Sequence, residues 1–427
     1  MATKLITVLL LGTLFVSPPK VAAATITVSP GQSIQTAVDS ARPGDVVSVR
    51  AGTYPAFRIT RSGTVDNYLS VTAYPGETVL INANGAYDGI LLSGASYVRV
   101  SGFEVTGAKG AYGAGITIKE SGSARGNYNI VENNRVYDNT SQNVQGILVS
   151  NGSYNKIINN KVYNNYLSGI AVISHTSISP NGAVGNEVTG NESYSNTLGG
   201  GNTDGIKTEG GMTQGTIISN NIVHGNSDDG IDTWNTSGNT LTGNTSYENG
   251  LLNTGDGNGF KLGGFTSENS GAIKYYGGNN TVKGNTAYGN RYNGFDSNGS
   301  GANYYENNVA YSNGNANVSS AWGIQDSWRT NSDTRQSTII NNNSYSNKTA
   351  NYAKGVYTTT FTGNTENSTL FPSPSPTPKP WTTMEGDYTT WSTNYLKTMS
   401  GFTSGDFSEN GVVDGVDFVL WLTKYAI

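Results

Sequence analysis

The 427-residue chain has no cysteine and only two histidines, His175 and His224. Without thiols there can be no thiol nucleophile, thiolate metal site or disulfide framework, and a mechanism built on several histidines is excluded as well. Charge is also scarce: 13% of residues are charged, about half the usual share of roughly 25%. With 25 basic and 30 acidic side chains the net charge is −5, so no basic excess exists to hold a nucleic acid by charge alone. Leucine and charge are too sparse for a helical bundle or coiled coil. The apolar run from Leu5 to Val16 follows Lys4 and ends in small residues, Val21-Ala22-Ala23-Ala24. It is too short for roughly 30 Å of hydrocarbon and suits a cleaved leader. A signal peptide over 1–23, a secreted or cell-surface protein and a mature chain without a membrane span are therefore expected.

What the chain has in quantity is glycine (56 residues), tyrosine (26) and, visibly, asparagine. A glycine followed by an aliphatic or aromatic residue recurs at Gly89, Gly115, Gly146, Gly169, Gly205, Gly230, Gly259, Gly294 and Gly323, at intervals of 23 to 36 residues. Interleaved with it is N-x-x-[YH]-x-N, centred on Tyr137, Tyr163, Tyr194, His224, Tyr247, Tyr288, Tyr311 and Tyr345. A unit this small cannot bury a face alone and must stack on its neighbours. Gly and Asn interrupt every unit, which rules out helical repeats, and a propeller blade needs about 40 to 50 residues. The remaining solution is a parallel β-helix with coils about 4.8 Å apart, its asparagines in left-handed turns and side-chain ladders. His224 fills a Tyr slot of the repeat, which gives it a structural role.

The expected solenoid covers 24–368. Gly31 to Asp45 reads as a helical cap with Ile34, Ala37 and Val38 on one face and Pro43-Gly44 as the stop. Such caps protect the unpaired strands at solenoid ends. At the other end FPSPSPTPKP opens a stiff linker over 369–381, followed by a module at 382–427.

Registering the coils on their glycines maps one surface. Two positions after each glycine stand Leu91, Thr117, Leu148, Ala171, Lys207, Asp232, Lys261, Asp296 and Gln325. The preceding residues Ile206, Ile231, Phe260 and Phe295 read as inward, so strand alternation sends Lys207, Asp232, Lys261 and Asp296 outward in one column. Asp204 and Asp229 each precede a glycine on adjacent coils, with Asp228 beside them in NSDDGID. Four carboxylates, Asp204, Asp228, Asp229 and Asp232, are thus expected to converge. Like charges in one place either raise their pKa values or share a cation, and hard oxygen ligands favour Ca2+. Lys261 lies one coil beyond Asp232, and an amine beside a bound cation is suited to removing a proton α to a carboxylate. On a uronic-acid polymer that step leads to β-elimination. Lys207, Asn258 and Arg291 are candidate contacts for substrate carboxylates, as is Arg329. The longest intervals, before Gly205 and Gly294, are expected to wall a cleft.

In order, GNTDGIK, NSDDGID and GDGNGFKLGG within Asn-rich coils resemble polysaccharide lyase family 9, right-handed parallel β-helix pectate and exopolygalacturonate lyases. The resemblance implies Asp204, Asp228, Asp229 and Asp232 as calcium ligands, Lys261 as the base, and an acidic polysaccharide, pectate first, as substrate. NTDG also resembles the opening of the polygalacturonase pattern, but the GHG and RIK motifs of those hydrolases are absent. A non-enzymatic surface β-helix, such as an adhesin or carbohydrate-binding solenoid, and a uronate epimerase are the other readings. A monomer is expected.

In the tail, DFSENGVVDGVD places Asp406, Ser408, Asn410, the Val412 carbonyl, Asp414 and Asp417 at the ligand positions of an EF-hand-like calcium loop, with Gly411 at its sharp turn. It is similar to one type I dockerin repeat. An offset of 30 aligns Asp387, Trp391, Thr393 and Tyr395 with Asp417, Trp421, Thr423 and Tyr425, so a helix of the other repeat persists without its loop. One calcium and a small α-helical module with a cohesin-like or cell-surface anchoring partner are expected.

Overall fold

The computed structural model describes residues 23–110, 112–174, 182–199, 201–250, 252–267, 273–315, 317–326 and 333–366. The leader up to residue 22, Arg329, the linker and the calcium loop Asp406 to Asp417 lie outside the described residues. Among the described residues the chain is a β-helix of three parallel sheets with 13, 11 and 11 strands. One coil shows the pattern: Lys156–Ile158 in the first sheet, Lys161–Tyr163 in the second and Ile170–Ile173 in the third. Each strand pairs in register with its equivalent on the next coil, as Ile157 does with Val188 and Val162 with Ser193. The mostly-β parallel solenoid read from the repeats is the observed architecture.

The core is a set of single-file stacks. Val131, Ile157, Val188, Ile218, Leu241 and Val282 in the first sheet, and Ile170, Ile206, Ile231, Phe260 and Phe295 in the third, are fully buried. In these short strands one residue points inward and its neighbours point out. Phe260 and Phe295 stack with centroids 4.6 Å apart, about one coil spacing. The N-terminal end is covered by helix α1 (Ile34–Ser40), N-capped by Ser33, which buries Ile34, Ala37 and Val38 as expected.

Two asparagine ladders hold the corner around the second sheet. Asn160 Oδ1 accepts from both the backbone and side-chain nitrogens of Asn134, each at 3.0 Å. Asn191 does the same for Asn160 at 2.8 and 3.0 Å. A parallel ladder runs through Asn139, Asn165, Asn196, Asn226, Asn249, Asn290 and Asn313. The first ladder takes the opening Asn of each N-x-x-[YH]-x-N unit and the second takes the closing one. Different asparagines supply the left-handed turns: Asn133, Asn159, Asn220, Asn307 and Asn341, at φ of 52–56°, each precede a ladder member. Between the ladders, Tyr137, Tyr163, Tyr194, His224, Tyr247, Tyr288, Tyr311 and Tyr345 stack with centroids 4.6–5.2 Å apart and planes within 11°. His224 is one ring of this stack.

The repeating glycines begin the third-sheet strands and pack against the second ladder. A Cβ on Gly230 would lie 2.7 Å from the Gly259 carbonyl oxygen and 2.8 Å from Asn249 Nδ2. No side chain fits there, so glycine is imposed by close approach.

Candidate functional site

The charged column forms on the outward face of the third sheet. Register pairs Ala171 with Lys207, Lys207 with Asp232, Asp232 with Lys261, Lys261 with Asp296, and Asp296 with Gln325. The order read from the glycine spacing is therefore the spatial order.

The residue before each glycine forms a ladder of its own. Asp204 Oδ1 accepts from the Asp229 backbone N–H at 3.2 Å, and Asp229 Oδ1 from that of Asn258 at 2.6 Å. Asn258 Oδ1 accepts from Asn293 at 3.1 Å, and Asn293 Oδ1 from Trp322 at 2.8 Å. This fold function needs one side-chain oxygen per coil, and asparagine supplies it at 258 and 293. Asp204 and Asp229 bring a second oxygen and a charge that the ladder does not use.

Those charges meet Asp232. Carboxylate oxygens of Asp204, Asp229 and Asp232 all lie within 4.8 Å of one another, and the three residues are buried. Two oxygens bound to one calcium at about 2.3–2.6 Å stand at most about 5 Å apart, so this spacing fits one ion. Asp232 Oδ1 and Asp229 Oδ2 are buried without a hydrogen-bond partner, although the latter lies 3.1 Å from Lys261 Nζ as an ion pair. The open Asp232 Oδ1, together with the hard all-oxygen donor set, fits a calcium ion.

Asp228 does not join Asp204 and Asp232, which corrects the fourfold convergence expected from sequence. Its neighbour Asp229 turns toward the sheet face, while Asp228 turns to the following loop and accepts from the Asp256 N–H at 2.5 Å. Asp228, Asp229 and Asp256 form a second triple that shares Asp229 with the first. Asp256 escaped sequence reading, although it stands in GDGNGFK two residues before Asn258.

Lys261 joins the two triples. Its ammonium lies 2.8 Å from Asp256 Oδ2 and 3.1 Å from Asp229 Oδ2, and 5.7 Å from the Trp234 ring centroid. Burial acts to lower its pKa, but Asp229, Asp232 and Asp256 outweigh that and hold the amine protonated well above its ordinary range. Burial, opposed by Lys207 and reinforced by Asp229, raises Asp204 to about 6. Burial and then the charges of Asp229 and Asp204 raise Asp228 to about 9. Asp232 is pushed well above the carboxylate range by burial, against the pull of Lys261. Lys207 lies 3.6 Å from Asp204 and 3.5 Å from Glu209. Burial lowers its pKa, but these carboxylates and Asp232 more than reverse it.

Lys207, Asp232, Asp256 and Lys261 line an open-sided cleft of about 750 Å³ together with Tyr112, Trp234 and others. Asn202, from the long interval before Gly205, also lines it. Two expected substrate contacts are placed elsewhere. Asn258 is buried and donates from Nδ2 to Asp229 Oδ1 at 2.8 Å, so its side chain orients a carboxylate. Arg291 donates to the Gly255 carbonyl, to Asp256 O at 3.3 Å and to Asn253 Oδ1 at 3.1 Å. Its guanidinium braces the loop that carries Asp256. Backbone carbonyls cannot be read as partners from sequence alone.

The profile of the Pel9A-like right-handed β-helix region matches residues 14–166 and 126–327. The chain belongs to this Pel9A-like family. Pectate lyase L of Thermoclostridium stercorarium is 27% identical over 327 residues, covering 72% of this chain and 23% of that protein. The chain thus spans about a quarter of that relative's length. Among solved structures, pectate lyase Pel9A superposes with a TM-score of 0.52 at 19% identity, covering 90% of this chain and 87% of that one. An alginate lyase from Paenibacillus sp. str. FPU-7 gives 0.50 at 18%, covering 81% and 98%. XylC in complex with xylose gives 0.54 at 13%, covering 75% of each. These three similarities show a shared fold, and the reading of the site rests on its own geometry. No helix among the described residues is long and apolar enough to cross a membrane.

Proposed function

We propose that this protein is a secreted, calcium-dependent polysaccharide lyase that cleaves pectate or a related polyuronide by β-elimination, with Lys261 as the base. The observation that carries this reading is the Lys261 amine 3.1 Å from Asp229, at the edge of an Asp204, Asp229 and Asp232 cluster in which Asp232 Oδ1 is buried without a hydrogen-bond partner. Membership of the Pel9A-like family and the likeness to pectate lyase L support it.

In this reading Asp204, Asp229 and Asp232 hold a calcium ion, and Asp228 supports it from the adjoining triple. The bound ion would offset the carboxylate field that keeps Lys261 protonated and would withdraw charge from a substrate carboxylate, acidifying the neighbouring C5 hydrogen. Lys261 Nζ then accepts the C5 proton, the released electron pair forms the C4–C5 double bond, and the C4–O4 bond breaks. The departing oxygen takes its proton from water. Asn258 fixes Asp229, Arg291 fixes the loop of Asp256, and Lys207 faces the cleft where a uronate carboxylate would lie. The Trp234 ring lies beside the amine, its centroid 5.7 Å from Nζ. Export through the leader at 1–23 and a tail module holding one calcium at Asp406 to Asp417, after a linker at 369–381, complete the proposed organisation.

The test is incubation of the purified chain with polygalacturonate and with alginate, with and without a chelator, following the ultraviolet absorbance of unsaturated ends. Product from one polymer that disappears with the chelator is expected. A Lys261→Ala chain with undiminished product yield would overturn the assignment of the base.

A further inference from the structure

The cleft extends well beyond the reacting groups. Besides Lys261, on the strand Phe260–Lys261, its lining includes Asn202, Leu167, Gln145 and Tyr112. Third-sheet strands beginning at Gln145, Ile170, Ile206, Ile231 and Phe260 follow one another in the sheet, which sets Gln145 four coils N-terminal to Lys261. Tyr112 stands just before the strand Ala114–Lys119, one coil further away. At a coil spacing of about 4.8 Å these offsets are roughly 19 and 24 Å along the solenoid axis. A 4-linked pyranose is about as long as one coil is high, so a sugar reacting at Lys261 is joined to Gln145 only by a chain of about five units.

Two features of that remote end serve no need of the coil. Gln145 is 8% exposed, and its Oε1 is buried without a hydrogen-bond partner. Buried polar atoms are nearly always satisfied, so this acceptor suits a donor brought by a ligand, such as a sugar hydroxyl. Tyr112 holds φ at 69°, left-handed backbone that bulky residues rarely adopt. Tyr97, Tyr128 and Tyr154 share that backbone but stack on one another, with centroids 5.0 and 5.1 Å apart. The Tyr112 side chain instead stands 78% exposed at the cleft. Backbone strain that packing does not offset points to a contact made in function. The two residues are also tied together: the Tyr112 N–H donates to Asn143 O and the Gln145 N–H to Gly113 O, each at 3.0 Å. An aromatic ring beside an amide can take a sugar by its C–H face and its hydroxyls at once. A uronate carries its carboxylate on the ring edge, so both contacts are open to a polymer charged at every unit.

From this we infer that Gln145 and Tyr112 form a remote sugar-binding site that holds the polyuronide chain four to five units from the unit that reacts at Lys261. The inference rests on the proposed lyase reading for the substrate and for the place of the reacting unit. Neither residue touches the reacting atoms. Their contribution is affinity for long chains, which the cleft gains by following the polymer along the solenoid axis.

The experiment compares de-esterified oligogalacturonates of four and eight units as substrates of the full chain in calcium, read by unsaturated product. Four units with one of them at Lys261 fall short of Gln145, and eight reach past it. Gln145→Ala and Tyr112→Ala should each lower kcat/KM for the longer oligomer about fivefold, the worth of one hydrogen bond or one ring contact. The loss should fall on KM with kcat unchanged, and the shorter oligomer should be unaffected. Tyr112 is exposed, so its variant tests the site without disturbing the core, and a melting curve checks Gln145→Ala. Product formation with no loss in either variant, or with equal loss for both lengths, overturns the inference and leaves the lyase reading standing. Absence of product from either oligomer overturns the lyase reading instead. Calorimetric titration of the Lys261→Ala chain with the eight-unit oligomer then decides the site without turnover: binding about fivefold weaker on adding Gln145→Ala supports it, and unchanged or absent binding overturns it.

Discussion

The coils beginning at Gly89, Gly115, Gly146 and Gly169 and those beginning at Gly205, Gly230, Gly259 and Gly294 are built alike. Both sets stack aliphatic or aromatic residues inward and, from Asn134 onward, share the asparagine ladders. On the outward face they diverge: Leu91, Thr117, Leu148 and Ala171 in the first set stand in register with Lys207, Asp232, Lys261 and Asp296 in the second. The scaffold tolerates either, so the charges in the second set are not a requirement of coil geometry. A feature that the fold does not need, placed where four coils bring it together, is the strongest mark of function here.

Four substitutions separate what the charged coils do from what every coil does. The largest effect is expected from Lys261→Ala, which should lower turnover about 10²–10⁴-fold, the usual worth of a general base, with calcium-induced thermal stabilisation retained. Rate assays beside a melting curve in calcium check both halves. Next comes Asn221→Ala, in a ladder common to both sets. Asn221 accepts from Asn191 at 2.8 and 3.0 Å and donates to Val188 O and Asn244. Removing it strands buried partners and should cost about 3 kcal/mol in denaturant unfolding.

Asp204→Asn separates ladder from metal site. The amide oxygen can still accept from Asp229, as Asn258 does from Asn293, so the variant should melt at or above the native temperature without calcium and lose the calcium-induced rise. Asp204 rises to about 6 on burial, so the folded chain keeps a proton there that the unfolded chain releases near 4. Its contribution to metal-free stability therefore falls as pH climbs from about 4 through about 6, and the stability advantage of Asp204→Asn should grow over that range. Melting curves across pH in chelator, native against variant, measure it. The smallest effect is expected from His224→Tyr, which restores the repeat in a stack with neighbours 5.0 and 4.6 Å away. Stability should change by no more than about 0.5 kcal/mol and turnover not at all; an activity loss would give His224 a role beyond packing.

Much of this was legible before any coordinates. The glycine and N-x-x-[YH]-x-N series contained the coil register, the inward stacks, the ladders, the terminal cap at Ile34–Ser40 and the neighbouring positions of Lys207, Asp232 and Lys261, because in a solenoid equivalent sequence positions are adjacent in space. The side-chain directions of Asp228, Arg291 and Asn258 were not. Asp228 faces a loop and Arg291 braces that loop through backbone carbonyls. Asn258, which shares its column with Asp229, is turned inward to hold it. The column arithmetic also passed over Asp256, since it lies in the turn before the strand that carries Lys261.

Residue order alone sets which residues share a coil position, and so the solenoid and the order of charges along one face, since stacking of equivalent units leaves one self-consistent register. Folding in three dimensions settled the rest: that Asp232 Oδ1 is buried without a hydrogen-bond partner, that two acidic triples share Asp229, and that Asp256 meets Lys261. Those outcomes depend on loops of unequal length and on the backbone atoms they present, which carry no periodic signal.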